Sequence, residues 1–540
     1  MFFKAIKLSI FIGLFWSIPV IFIAPVIAEI NNQTVSAETE AYQLLKTGNQ
    51  QFQRSQFQIA LQTYQQALQL FQKSNNKIGE AEALLSIGMT YQMLSQHSEA
   101  TEFVNQALKI AEELNNKDLT ARCLTEKGFI FYFLSQYPEA LELYQQALQL
   151  SQEINNLEIE GHILNYMGMV YRNQGQYEQA LPLHEKALEI IPEIDKNPVQ
   201  AFILYNISVI HEQQGNYPRA LELNQQALKI SRESDNRYYE SLILLNFGTI
   251  YSNLGDYPKS ESFYQQAIST LQEIGNQLGE GRGLSNLAGV YGDQGEYNKA
   301  LNYYQQALEI SQSIGDRLGE GSTLSSIGSI YQTQGQYSQA RDYYQQALEI
   351  SQDLDDQPGE AFAYMNFGAI SAAEGKYTES LEYYQQALDI RQDIGDQAGE
   401  GYTLNSIGVI HYNLGQYSEE IDYYQQALDI RQRIRNKAGV AQSLNNIGLV
   451  YEVQEEYDQA LDYYQQALNI RREIGEKAGE GSTLNNIAFI YNIRQQYNQS
   501  IEAYQQALAI RQEIGDRFGE ATTFNNLGLA YDKRDSSINE

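Results

Sequence analysis

The chain has 540 residues, too many for one compact core, so it is either several domains or one repeating array. One cysteine, Cys123, excludes an intrachain disulfide and any cysteine-based metal site. A formal charge of −31 repels phosphate backbones and excludes nucleic acid as an expected partner; it is otherwise the charge of an ordinary solvated surface.

The N-terminus differs from everything after it. Lys4 and Lys7 precede an uncharged run, residues 8–28, that is mostly Ile, Leu, Phe and Val. Val26 and Ala28 stand where a signal peptidase needs small residues, so a cut after Ala28 is expected. The run is long for a signal peptide and nearly long enough to span a bilayer, so membrane attachment through residues 8–28 is the alternative. Either way the lysines stay in and the rest is exported: periplasmic, secreted, or anchored to the outer side of an inner membrane. Residues 29–39 read as a polar linker.

From residue 40 the sequence repeats every 40 residues without an insertion or deletion. Twelve full units fill 40–519, and a half unit (520 to about 533) and a polar tail follow. A period of this length means stacked supersecondary units. In the unit 320–359, Leu324, Ile327, Gly328 and Tyr331 share one helical face, and Tyr337, Ala340, Tyr344, Ala347 and Leu348 share another. Each unit is therefore two amphipathic helices, with the turn at Gln334, Gly335 and Gln336. Helices this short bury their faces only by stacking on neighbouring units, which makes the array an all-α solenoid.

Columns of the repeat report its geometry. One is Ala in all twelve units, from Ala67 to Ala507. Another is small throughout, including Gly88, Gly128, Ser208, Ala288, Gly328 and Gly528, although Gly costs about 1 kcal/mol against Ala inside a helix; close backbone approach is expected there. A ring column runs from Phe57 and His97 through Tyr137 to Tyr497 and is expected to fill the gap between paired helices. Units join at pairs such as Asn75-Asn76, Gly275-Asn276, Gly315-Asp316 and Gly515-Asp516, where Gly or Asn ends one helix and Asn or Asp caps the next. Arg435 and Lys196 interrupt this pattern, so different turns are expected near them, and Pro198 suits a first helical turn.

The order Leu84, Gly88, Tyr91, Ala100, Ala107 resembles the tetratricopeptide repeat (TPR), and the stretch from Leu444 to Leu468 is close to its consensus. The 40-residue period resembles the longer variant of Pins/LGN-type adaptors, kinesin light chain and bacterial arrays that precede a caspase-like CHAT domain. The resemblance covers roughly residues 40–533 and implies a right-handed superhelix of stacked antiparallel hairpins. Its first helices would line a concave groove that binds peptides or partner domains. Gln51 and Ser371 depart from the pattern by replacing its usual ring, Glu420 replaces its Ala, and no CHAT domain follows.

Beside the packing face lies a ladder of amides: Asn206, Asn246, Asn286, Asn366, Asn446, Asn486 and Asn526, with Asn165, Asn405, Asn445, Asn485 and Asn525 next to them. An amide both donates and accepts, which suits the main chain of an extended peptide; the alternative is that these amides bond to neighbouring parts of the solenoid. Arg122, Arg172 and Arg282 share that face and could take a carboxylate. The family's carboxylate clamp needs lysines beside the asparagines; the typical units lack them, and the pair Lys46 and Asn49 is isolated. Groove residues change from apolar (Met89, Phe129, Met169) to Ser325 and Ser329 and back to Leu449 and Phe489.

Catalytic chemistry is not legible. His97, His211 and His411 replace rings, no two histidines stand at metal-ligand spacing, and triplets such as Gly279-Glu280-Gly281 follow no strand. The expected function is a non-enzymatic scaffold for protein or peptide ligands that needs no metal or cofactor. The alternatives are a sensor array for a separate CHAT-like protease, and a structural protein that self-associates through its C-terminal half unit.

Overall fold

The computed structural model describes residues 35–191, 198–514 and 516–539. The expected signal or anchor segment, most of the linker, Lys196 and Gly515 lie outside the described residues. Among those described, the elements are 25 helices, from α1 (Val35–Gln53) and α2 (Phe57–Ser74) to α25 (Arg517–Asn539). Each odd-numbered helix up to α23 packs most extensively on the even-numbered helix that follows it, and from α3 on less extensively on the one before; α25 packs on α24. This is the expected all-α solenoid of stacked antiparallel hairpins. First helices of successive units also touch one another directly, whereas no pair of second helices does so to a similar extent. The inner side of a curved stack is its shorter side, so the first helices line the inside.

The unit is built as its columns require. In α15 (Arg317–Thr333) and α16 (Tyr337–Asp353), the turn rests on Gly335 at φ +75°. The Asp316 carboxylate accepts from the Gly319 N–H at 3.0 Å and so caps α15. A Cβ on Gly328 would lie 2.7 Å from the Tyr344 ring, closer than such atoms pack. The small column thus seats the tyrosine of the second helix. Close backbone approach is seen where Ser260, Ser380 and Ser500 replace Ala: each hydroxyl donates at 2.8 Å to the carbonyl of Gly248, Gly368 or Ala488.

Three expectations need correction. Helix α1 begins at Val35, inside the expected linker, where Ala37 and Glu38 favour a helical first turn. Helix α25 runs through the expected polar tail to Asn539; Asp532, Lys533, Arg534 and Asp535 do not break a helix, and Arg534 stacks over the Tyr531 ring at 5.0 Å. Arg435 does not alter its turn: it takes the left-handed conformation, φ +56°, that Asn75 takes elsewhere. Its guanidinium reaches Glu178 at 2.6 Å.

That last contact belongs to a feature the repeat did not announce. The solenoid coils tightly enough for its successive superhelical turns to touch. The Ser55 hydroxyl donates to the Asn276 side-chain oxygen at 3.2 Å across 221 residues, so one superhelical turn takes about five and a half units. The Asn276 amide in turn donates to the Gln53 carbonyl at 3.1 Å. The Gln397 N–H donates to the Gln174 carbonyl at 3.3 Å, and that of Lys437 to Gln214 at 2.8 Å. Apolar side chains fill the seam: Leu278 and Ile314 sit with Phe57, Met93 and Leu94, Ile434 with Tyr177 and Ile210, and Ile474 with Tyr217 and Ile250. The approach is tight at Gly215, a left-handed turn residue at φ +73°, whose added Cβ would meet Ala438 at 2.8 Å. Because the pitch is a half-integer number of units, turns within the early units always meet turns between the later units.

The seam divides otherwise equivalent positions. Ile434 is 3 % exposed, whereas Leu114, in the same column but on the uncovered side of the first turn, is 41 % exposed. Tyr137, Tyr177 and Tyr217 are buried, while Tyr297 and Tyr337 are half-buried. The ring column is therefore completed by the next superhelical turn, not only by the paired helix.

Candidate functional site

The inner face offers two different environments. In the first superhelical turn large side chains close it. Phe129 meets Tyr166 at 5.6 Å between ring centres, Tyr166 stacks on Tyr144 at 5.9 Å, and Phe202 stacks on Tyr239 at 5.4 Å. Met169 and Val209, which continue the column of Phe129, are buried.

A polar network lies within this closed region. The Arg172 guanidinium donates to the Asn206 side-chain oxygen at 3.1 Å, and the Asn206 amide donates to Asn165 at 3.2 Å. The Asn165 oxygen also lies 2.8 Å from His184 Nδ1. Burial, and then the Arg172 charge, push the His184 imidazolium down to about 3, so the ring is neutral. Asn246 accepts from the Ser208 hydroxyl and from the Asn224 amide at 3.2 and 2.6 Å. Burial pushes the Glu126 and Glu212 carboxyls up to about 7, and the Asn253 amide holds Glu212. These bonds tie neighbouring units together within the wall, although Asn165 Nδ2, His184 Nε2 and Asn224 Oδ1 are buried without a hydrogen-bond partner among the described residues.

The asparagine ladder thus has two parts. Asn165, Asn206, Asn246, Asn366 and Asn405 are buried among helices. Asn286, Asn446, Asn486 and Asn526 are half-buried, as are Asn445 and Asn485, and Asn525 is exposed. The rungs run from unit to unit: Asn446 donates to Asn405 at 2.9 Å, Asn486 to Asn445 at 3.4 Å and Asn526 to Asn485 at 3.4 Å. In the last units each rung uses one amide group of a residue and leaves its remaining polar groups at the inner surface. Beside them Phe489 and Leu529 are exposed, 42 % and 50 %, and Leu449 is half-buried. The open part of the inner face therefore lies near the C-terminal end and combines amides with apolar side chains.

The three arginines do not converge. Arg122 pairs with Glu82 at 3.5 Å, Arg172 is buried in the amide network, and burial pushes the half-buried Arg282 guanidinium down to about 10. Asn49 accepts from the Tyr64 hydroxyl at 2.6 Å, while Lys46 is exposed. Cys123 is buried, and burial pushes its thiol up to about 12, far from a reactive thiolate. His411 stacks on Tyr423 at 5.1 Å in the manner of the ring it replaces.

Sequence reading passed over a column of buried cations. Arg391 is 2 % exposed and donates at 2.6 Å to both the Gly399 carbonyl and the Thr403 hydroxyl. Arg431 does the same for Gly439 and Ser443 at 3.1 and 2.8 Å, and Arg471 for Gly479 and Thr483. They tie each second helix to the first turn of the next unit. The recurrence of Arg at 40-residue spacing, on the apolar side of a helix, was the available signal.

Comparison with known proteins places these features in context. Tetratricopeptide-repeat models match residues 44–113, 159–233, 202–273, 239–313, 279–353, 359–433, 402–473, 439–491 and 479–536, and a second such model matches 120–163. No curated protein matches the chain. Among solved structures the chain is similar to a Rap protein complexed with Competence and Sporulation Factor, at 15 % identity over 66 % of this chain and 99 % of that one, with a TM-score of 0.48. It is also similar to the APC/C hetero-tetramer Cut9–Hcn1, at 16 % identity over 92 % and 99 % with a TM-score of 0.43. BtubC (BKLC) from P. vanneervenii aligns at 22 % identity over 41 % and 90 % with a TM-score of 0.33.

Proposed function

The chain belongs to the tetratricopeptide-repeat family, and from that premise we propose that it is a non-enzymatic scaffold that binds an extended polypeptide at the C-terminal part of its inner face. The observation that carries this reading is the joint presence there of half-buried amides and exposed apolar side chains. Asn445, Asn486 and Asn525 offer donors and acceptors to a main chain, and Leu449, Phe489 and Leu529 offer contact area. The closed first turn supports the same placement, since Phe129, Tyr166 and Phe202 leave that stretch filled. Among the described residues no group of His, Cys, Asp and Glu is arranged to hold a metal. The charged run from Lys4 and the apolar residues 8–28 support export, and the partner would then be a protein of the same compartment.

A photo-crosslinking amino acid placed at Phe489 tests the site, with Gln466 on the outer side of the stack as the control position. The reading expects a discrete crosslinked partner from position 489 that competes away when unlabelled chain is added, and none from 466. It expects Asn486→Ala and Phe489→Ala to weaken capture while Asn206→Ala lowers stability without a specific effect on capture. Equal crosslinking from both positions would remove the inner face from consideration.

A further inference from the structure

The seam leaves two rims. Among the described residues, the lower rim has no later turn against the turns between its early units, at 75–78, 114–118 and 155–158. On the upper rim the turns within the later units, at 293–296, 333–336, 373–376, 413–416, 453–456 and 493–496, are likewise uncovered, and an added Cβ on Gly295, Gly335, Gly375 or Gly415 meets nothing within 4 Å. We propose that these rims are complementary halves of the seam and that a second copy of the chain docks there head to tail.

Three observations carry the proposal. First, the apolar side chains that fill the seam recur on the rims with nothing against them. Leu414 continues the column of the buried Leu94, and Val453 and Ile493 continue that of the buried Met93 and Phe133. Ile78 continues the column of the buried Leu278, and Leu114 that of the buried Ile314 and Ile434. Among the described residues, six of the ten exposed large apolar side chains lie on these rims: Ile78, Leu114, Leu157, Leu414, Val453 and Ile493. A scattered surface does not gather them so.

Second, the upper rim keeps a notch of about 320 Å³ lined by Gly295, Glu296, Tyr297, Lys299 and Gln334. The corresponding notch six units earlier lies between Phe57 and Leu94, and Leu278 and Ile314 of the overlying turn fill it. The fold thus contains both the empty receptor and a picture of what occupies it. Third, contact between a lower and an upper rim continues an interface that already exists within each molecule. Such contact uses different surfaces of the two copies and leaves one rim free at each end, so it grows without closing. The net charge of −31 opposes association, so added salt strengthens it.

Sedimentation velocity of the purified chain from low to high micromolar concentration, at two ionic strengths, tests this. The expected result is a mass that rises past the dimer with concentration and rises further with salt. A Leu414→Glu/Ile493→Glu variant (upper rim) and an Ile78→Glu/Leu114→Glu variant (lower rim) each remain monomeric. Their equimolar mixture forms a dimer and nothing larger, because only one intact pair of rims is left. All four positions are exposed, so unchanged helical circular dichroism and melting identify the variants as folded. The proposal is overturned by a wild-type chain that stays monomeric throughout, by rim variants that associate as the wild type does, or by a mixture that stays monomeric. It is equally overturned if Phe524→Glu/Leu529→Glu in α25 abolishes association and the rim variants do not.

Discussion

The backbone N–H of Lys437 donates to the carbonyl oxygen of Gln214 at 2.8 Å, joining a turn between two units to a turn inside a unit one superhelical turn earlier. A bond of this kind turns a spring into a tube. Elongated stacks gain stability mainly from neighbouring repeats; here contacts between distant units add to it.

Truncation of the same column should therefore have consequences of very different size on the two sides of the seam. Ile434→Ala empties a buried site against Tyr177 and Ile210 and is expected to cost about 2–4 kcal/mol. Leu114→Ala, in the same column but exposed, is expected to cost less than about 0.5 kcal/mol. Urea denaturation of both variants measures the difference. Small-angle scattering of Ile434→Asp should show a larger radius with helicity retained.

The small column offers a second contrast. Gly328→Ala gains helix propensity but drives a methyl into the Tyr344 ring, so a net loss of about 1–2 kcal/mol is expected. Gly528→Ala meets nothing within 4 Å among the described residues and is expected to gain about 0.5–1 kcal/mol. Thermal melts of the two variants should move in opposite directions.

Glu420 is fully buried where the repeat places Ala, and burial pushes its carboxyl up to about 8 from 4.5. The folded chain thus holds a proton that the unfolded chain releases. Its contribution is fully present below about pH 4.5 and is lost as pH rises through about 8. Glu126 and Glu212, raised to about 7, follow the same sign, so the wild type alone does not isolate it. The difference between wild type and Glu420→Ala does: the variant's advantage should grow by roughly 2–4 kcal/mol between pH 5 and pH 9 in denaturant titrations.

Arg391→Ala leaves the Gly399 carbonyl, the Thr403 hydroxyl and the nearby Asp396 carboxylate without their cation. A loss of about 2–4 kcal/mol is expected, with Thr403→Val costing about 1 kcal/mol. Hydrogen exchange should show faster opening of the helix that starts at Gln397 in both variants, and more so in the first.

The hairpin was legible because its signals are local and recur twelve times: Gly335 for the turn, Asp316 for the cap, Gly328 and Tyr344 for the packing. The seam was not. It depends on how many units complete a superhelical turn, a small rotation per repeat that no single unit displays. The turn within the unit does not betray it: Gly stands there under the covering turn (Gly175, Gly215) and equally on the uncovered rim (Gly295, Gly335), while Ser55 belongs to the seam. The amide ladder was seen as a row of residues, but its division into buried and open parts follows from the bulk of Phe129, Phe202 and their neighbours. Arg391 and Arg431 were hidden because a charged residue in an amphipathic helix reads as solvated until its carbonyl partner in the next unit is placed.

The half-integer pitch has an evolutionary consequence. Copying or losing one repeat in the middle of the gene preserves every local fit yet shifts each later residue to a different neighbour across the coil, so Leu278 would no longer face the pocket beside Leu94. Such an array lengthens or shortens at low cost only at its two ends. Internal duplications would have to be screened for matching partners a full turn away, like teeth added to a gear already in mesh.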